Sequence, residues 1–321
     1  MKFYYQSINN KRNEWVAYKI RIREMQEKKP SLHLQICGQN FFKLMYENHT
    51  IFWAKQHARY YAVAILKTFN YNSIFSPISS QDVEKRKSLV QDKALASWSQ
   101  YFLNELKGKT EEVLYNGTWI LTPYVASDNT AYTALHNGIG FHAIYGVENS
   151  LSASHFQNIP WFFGSENLVN LKKINLYSGR LKWWRKKAQE NALPPILLLY
   201  ISGLDNYIIL DGHYRLKAAY LEKVKVECLV LHRSQKNEIV WNNEKQKADI
   251  LKNIDGKNFG IHKQNELLIK AYTNKVIEYN LASRTFGFSQ NNDIQDIAEY
   301  LHKLGKLALI EQFFKGEWKE I

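Results

Sequence analysis

The chain of 321 residues contains only two cysteines, Cys37 and Cys228, and six prolines. The cysteines lie far apart and no Cys-x-x-Cys occurs, so neither a zinc ribbon nor a dithiol redox pair is implied. Each sits in an apolar, strand-like run and reads as a buried thiol. Long Gly/Ser or Pro tracts are missing, which argues against disorder away from the ends. Uncharged apolar runs are short. The longest, near Pro194 to Ile201, falls far below a membrane span, and Met1 to Ser7 has no apolar signal core. The expectation is a protein without a membrane partner, placed in a reducing cytoplasm. No repeat recurs at a fixed period.

What is abundant is positive charge and aromatic surface. Lys and Arg outnumber Asp and Glu to give a formal net charge of +13, and aromatics make up 14 % of residues. The charge points to an anionic partner such as nucleic acid, a nucleotide or an acidic protein. The aromatics favour large packed cores or exposed stacking surfaces. At this length the chain can hold two domains and a sizeable core.

Residues 1 to about 40 alternate Val16, Tyr18, Ile20 and Ile22 with Lys19, Arg21 and Arg23, a strand apolar on one face and basic on the other. Phe41 to Phe69 carries apolar residues at roughly helical intervals and reads as a helix. Ser76-Pro77 is a break. Ser79 to Asp82 forms an N-cap for a helix running to about Leu106 and stopped by Gly108. Asn116-Gly117 between two β-rich runs predicts a hairpin over 112–121. Region 122–170 reads as loops and short strands. It holds His136, His142 and His155 at spacings that match no ligand pattern, so no metal site is expected there. Further on, 174–180 reads as a strand, Leu181 to Asn191 as a helix, 193–201 and 207–210 as a hairpin, and Val224 to Leu231 as a strand. The C-terminal part reads as helices over 266–280 and 294–310, joined by a loop at 283–288. These elements predict an α+β protein in three parts: a mixed α/β region over 1–165, a central mixed-sheet domain over 166–235, and a mainly helical region over 236–321.

The most informative stretch is Ile208-Ile209-Leu210-Asp211-Gly212-His213-Tyr214-Arg215. An apolar strand ends in a tight turn and a basic helix starts at once. Such a junction presents free backbone N–H groups and the positive end of the helix dipole, which suits a phosphate. Gly212 allows close approach. Arg215 in the first turn can reach phosphate oxygens with its fork, and His213 can donate to phosphate or move a proton during transfer. Asp211 is a candidate for holding Mg²⁺ or for capping the helix. Nearby, Trp183-Trp184-Arg185-Lys186-Lys187 forms a basic-aromatic run. Trp183, Arg185, Lys186 and Lys187 are candidates for nucleic-acid contact, against the plainer reading of an amphipathic helix anchored by tryptophan.

The order strand, helix, strand, hairpin strand, turn, helix, strand resembles the ParB/sulfiredoxin-like superfamily over about residues 174–231. The ParB box Gly-x-x-Arg-x-x-Ala stands here as Gly212-His213-Tyr214-Arg215-Leu216-Lys217-Ala218. Leu193-Pro194-Pro195-Ile196-Leu197 is similar to the family's strand entry, and Arg180 sits where the family often has a basic residue before its first helix. The resemblance implies nucleotide phosphates held by Gly212, His213, Arg215 and Arg180. The ligand would be a nucleoside di- or triphosphate, CTP or ATP/ADP, with or without Mg²⁺. The wording Asp-Gly-His-x-Arg is closest to the family's kinase-like members, which implies phosphoryl transfer or hydrolysis with His213 and Asp211 as catalytic candidates. The chain also departs from the family. His213 stands where sulfiredoxins place a reactive cysteine, and Gly-His-Tyr-Arg replaces the Gly-Glu-Arg-Arg of chromosome-partitioning members. Two other readings stay open: a DNA- or RNA-associated or nuclease-like protein, and a non-catalytic scaffold that binds a protein through the N-terminal region.

Overall fold

The computed structural model describes residues 1–24, 29–57, 62–123, 151, 153–160, 168–240, 244–272, 275–289 and 293–315. His136 and His142 lie outside them. The chain divides into two compact units: Met1–Arg233 with Ala282–Ile321, and Ser234–Leu281.

The larger unit opens with β1 (Lys2–Asn9) and β2 (Trp15–Arg23), an antiparallel pair. Then come β3 (Leu32–Gly38), β4 (Phe41–Tyr46), β5 (His49–His57) and β6 (Ala62–Lys67), each antiparallel to the one before. Three helices follow: α1 (Ser80–Lys87), α2 (Gln91–Gly108) and α3 (Thr110–Val113). Next are β7 (Gly117–Pro123), β8 (Phe156–Pro160), β9 (Leu168–Val169), α4 (Gly179–Gln189), β10 (Ile196–Ile201), β11 (Asn206–Asp211), α5 (His213–Glu222) and β12 (Cys228–Val240). The smaller unit takes the end of β12, α6 (Glu244–Asp255), α7 (Ile261–Tyr272) and β13 (Lys275–Leu281), which pairs antiparallel with β12 from Ser234 onward. The larger unit ends with β14 (Thr285–Phe288), α8 (Asp293–Lys303) and α9 (Leu309–Lys315).

The strands form two mixed sheets. One runs β1-β2-β7-β12-β10-β11-β9, and the other β14-β3-β4-β5-β6-β8. Parallel pairs occur at β10/β12, β11/β9 and β14/β3. The fold is therefore α+β, as the sequence predicts. A single cluster of buried side chains draws on both sheets, with Ile20, Ile22, Leu121, Leu199 and Leu229 from one and Leu34, Leu44, Phe52 and Ile65 from the other.

Several elements differ from the sequence reading. The segment 41–69 is three strands rather than a helix. Its two-residue turns are Gln39-Asn40 and Glu47-Asn48, with Asn40 and Glu47 at φ 56° and 52°, and these set the hairpin register. The helix expected up to Leu106 is two helices, α1 and α2, divided at Ser88 to Val90. No hairpin forms over 112–121. Residues 110–113 are helical, and β7 pairs with β2, not with its own upstream neighbour. Gly117 instead brings its backbone against Arg233, whose Nε lies 2.8 Å from where a Cβ would stand. Residues 174–178 are irregular rather than a strand, and the preceding strand is β9. The helix over 266–280 ends at Tyr272 and a strand takes its place. The loop at 283–288 contains strand β14, and 294–310 is split between α8 and α9. Cys228 is buried as expected, whereas Cys37 is only partly so.

Candidate functional site

The predicted hairpin, turn and helix form as read. Antiparallel β10 and β11 are buried at every position, because both of their faces are covered, and β11 ends at Asp211. Gly212 is the N-cap residue of α5, with φ 108° and ψ 14°. Glycine alone adopts that conformation readily. A Cβ there would also stand 3.2 Å from the Ile196 Cα and 2.9 Å from Arg215 Nη2. No side chain caps the helix, so the capping role considered for Asp211 is not the one it takes. The first intrahelical bond runs from Leu216 N–H to the Gly212 carbonyl, so the N–H groups of His213, Tyr214 and Arg215 have no partner inside the helix.

Asp211 and Arg215 instead pair with each other across one helical turn, Nη2 to Oδ2 at 2.8 Å, and both are buried. The same Nη2 donates to the Pro195 carbonyl at 3.0 Å, and the guanidinium lies over the Trp184 ring, 5.4 Å from its centre. Arg215 Nε is buried and has no hydrogen-bond partner. An ionic donor in that condition costs free energy unless something else satisfies it.

Around this junction lies a cavity of about 300 Å³. Its floor is Asp211 to Arg215 with Trp184, and its walls are Lys172, Arg180 and a segment from the loop after β6, namely Ser73, Phe75 and Pro77. Three cations therefore face one carboxylate, and that carboxylate is already paired with Arg215. Arg180 lies 5.9 Å from the Tyr214 ring centre and Lys172 lies 5.5 Å from that of Tyr71. Burial pulls the Lys172 pKa down from the ordinary lysine value, against the upward pull of Asp211. An anion brought beside it would offset that desolvation.

His213 is buried in the same wall. Burial first, then Lys172, Arg215 and Arg180, push its pKa well below the ordinary imidazole value. It is neutral at pH 7. Its Nε2 accepts from the Leu171 N–H at 3.4 Å, which leaves Nδ1 to carry the proton. Tyr71 packs on its ring at 5.9 Å and donates to the Leu210 carbonyl at 2.9 Å, tying the loop after β6 to the end of β11.

The basic-aromatic run is spent largely on packing. Trp184 is buried and contacts Trp183 edge to face at 4.2 Å. Lys187 is buried between Glu84 and Glu190, at 2.7 and 2.9 Å, and Arg185 pairs with Glu222. Of the four candidates for nucleic-acid contact, Lys186 is exposed and enters no ion pair among the described residues. His155, read from the sequence as part of the loops and short strands of 122–170, is buried. Its Nδ1 lies 2.8 Å from both the Lys67 carbonyl and the Tyr300 hydroxyl.

Sequence reasoning passed over Lys172 and the loop 73–77. The first stands in a Lys172-Lys173 pair just ahead of the stretch 174–231 that carries the resemblance, and the loop was visible only as a break at Ser76-Pro77. Among the described residues no group of three or more His, Cys, Asp or Glu is gathered to hold a metal. A lone paired carboxylate among three cations does not suit a resident divalent ion. No helix among the described residues is long and apolar enough to cross a membrane. No protein-family model, curated protein or solved structure matches the chain.

Proposed function

We propose that the cavity at the β11–α5 turn binds the phosphates of a nucleoside di- or triphosphate. The observation that carries this reading is the buried, unpartnered Arg215 Nε in a cavity that also collects Lys172, Arg180 and the uncapped start of α5. Each of these supplies a donor or positive charge, and their sum calls for an anion with several oxygens. Tyr214, half-buried in the same lining, offers a ring beside the phosphate region, which suits a nucleotide better than inorganic phosphate. The ParB/sulfiredoxin-like resemblance points the same way and belongs to the same proposal.

In this reading Asp211 orients the Arg215 guanidinium and holds no metal. Neutral His213 offers its Nδ1–H as a donor. Any Mg²⁺ arrives with the phosphates it already neutralises. A thermal-shift panel of ATP, ADP, CTP and GTP, with and without Mg²⁺, tests the proposal. At least one nucleotide at millimolar concentration raises the melting temperature of the wild type, and raises that of Arg180→Gln by less than half as much. An unmoved melting temperature across the panel refutes it.

A further inference from the structure

A second surface, on the strand pair β1–β2, is not used by the cavity. Its outward rows are set by register: Lys2 opposite Arg23, Tyr4 opposite Arg21 and Gln6 opposite Lys19. The alternate residues Tyr18, Ile20 and Ile22 point into the core, so Lys19, Arg21 and Arg23 share the other face. Tyr4 and Tyr5 are half exposed, at 50 % and 51 %. Together with Gln6 and the three β2 cations they line a shallow groove of about 270 Å³. Lys2 is paired with Glu24, while Arg21 and Arg23 form no ion pair among the described residues. The β1–β2 connection adds the exposed Lys11 and Arg12. Unlike Arg185 and Lys187, Arg21 and Arg23 are not consumed by carboxylates among the described residues.

We propose that this face binds single-stranded nucleic acid. Side chains two apart on a strand are separated by about 6.6 Å, so Lys19, Arg21 and Arg23 form an evenly spaced row of charges. A row of that kind fits successive phosphates of an extended backbone. Tyr4, beside Arg21 in the next strand, provides a ring on which an unpaired base stacks. A duplex buries its base faces and leaves the tyrosine without a role, and the outward rows offer no apolar anchor for a lipid surface. Exposed arginine and tyrosine together therefore favour an unpaired strand over other anionic partners.

The test is fluorescence anisotropy of labelled 15-nucleotide DNA and RNA single strands on the full chain at 50 mM salt, repeated to 200 mM. Binding is expected, and it weakens as salt rises. The variant Arg21→Gln/Arg23→Gln binds at least tenfold more weakly and lowers the slope of log K against log salt by about 1.4, since each phosphate contact on a single strand contributes about 0.7. Tyr4→Ala weakens binding about tenfold without changing that slope. Circular dichroism shows that both variants, at exposed positions, keep the wild-type fold. The DNA and RNA arms decide which backbone is preferred. Four results would overturn the proposal: no binding at 50 mM salt, full binding by Arg21→Gln/Arg23→Gln, equal binding of a duplex with Tyr4→Ala unaffected, or binding of anionic phosphatidylserine vesicles in place of either oligonucleotide. The cavity reading is untouched by any of these, because its own test uses mononucleotides and Arg180.

Discussion

Arg215 has two roles that pull an experiment in different directions. It supplies the free Nε that argues for a ligand, and it neutralises the buried Asp211. Removing one member of such a pair leaves an uncompensated charge and costs about 3–5 kcal/mol, whereas replacing both with apolar groups of similar size costs much less. Arg215→Ala and Asp211→Ala are each expected to lower the urea midpoint strongly, and Asp211→Leu/Arg215→Met to recover most of the loss. A strictly additive double variant would contradict the coupling. A lost nucleotide response in Arg215→Ala is therefore ambiguous, and the discriminating substitutions are at half-buried Lys172 and exposed Arg180. At this scale the sequence was informative about residue types and less so about their use. Asp211, Gly212, His213 and Arg215 do come together. Pairing across one turn makes Asp211 an orienting group, and the exclusion of water from His213 keeps it neutral.

At the scale of elements, legibility followed the strength of local turn signals. The hairpin at 196–211 and helix α5 could be read because Ser202 to Asn206 is dense in turn formers and Asp-Gly ends an apolar run. The run 41–69 could not, because its apolar spacing fits a helix as loosely as a strand. Only the two-residue turns at Gln39-Asn40 and Glu47-Asn48 separate the two readings. Gly117 misled for the opposite reason: its position answers a tertiary contact with Arg233 and not a local turn. Long-range ties are invisible to such patterns, and one of them holds α8. Lys43 on β4 donates to Asp293 Oδ1 at 2.7 Å and to the Ser289 hydroxyl at 2.9 Å, with both charged groups buried. Asp293→Ala is expected to destabilise by about 3 kcal/mol or more in urea denaturation, since the Lys43 charge is then left buried alone. A change below 1 kcal/mol would show that α8 does not depend on this pair.

For the whole molecule, histidine burial sets the pH response. His33, His57, His155, His213 and His232 all have pKa values lowered chiefly by burial, His232 to about 4. The unfolded chain takes up protons at these groups near pH 6.5 and the folded chain does not. Stability is thus fully present above that pH and falls as pH drops below it. For His232 the loss is complete near pH 4. The carboxylates Glu190, held down near 2 by Lys87 and Lys187, and Asp293 add a further loss at lower pH. The melting temperature is expected to fall steadily from pH 7 to pH 5, before carboxylates titrate, and His232→Phe is expected to flatten that slope. A melting temperature constant over this range would contradict the burial of these rings. Two clusters of cations in the larger unit, one lining the cavity and one on the β1–β2 face, contribute to the net charge of +13.

The most direct test of the central claim is isothermal titration calorimetry of the nucleotide selected by thermal shift, on the wild type and on Lys172→Gln/Arg180→Gln. Both substitutions spare the Asp211–Arg215 pair and the core. The account predicts saturable one-site binding to the wild type and at least a tenfold weaker affinity in the double variant, whose melting temperature without ligand stays within a few degrees of wild type. Equal affinity in the two proteins would contradict it, because the phosphates would then lie somewhere other than the β11–α5 turn.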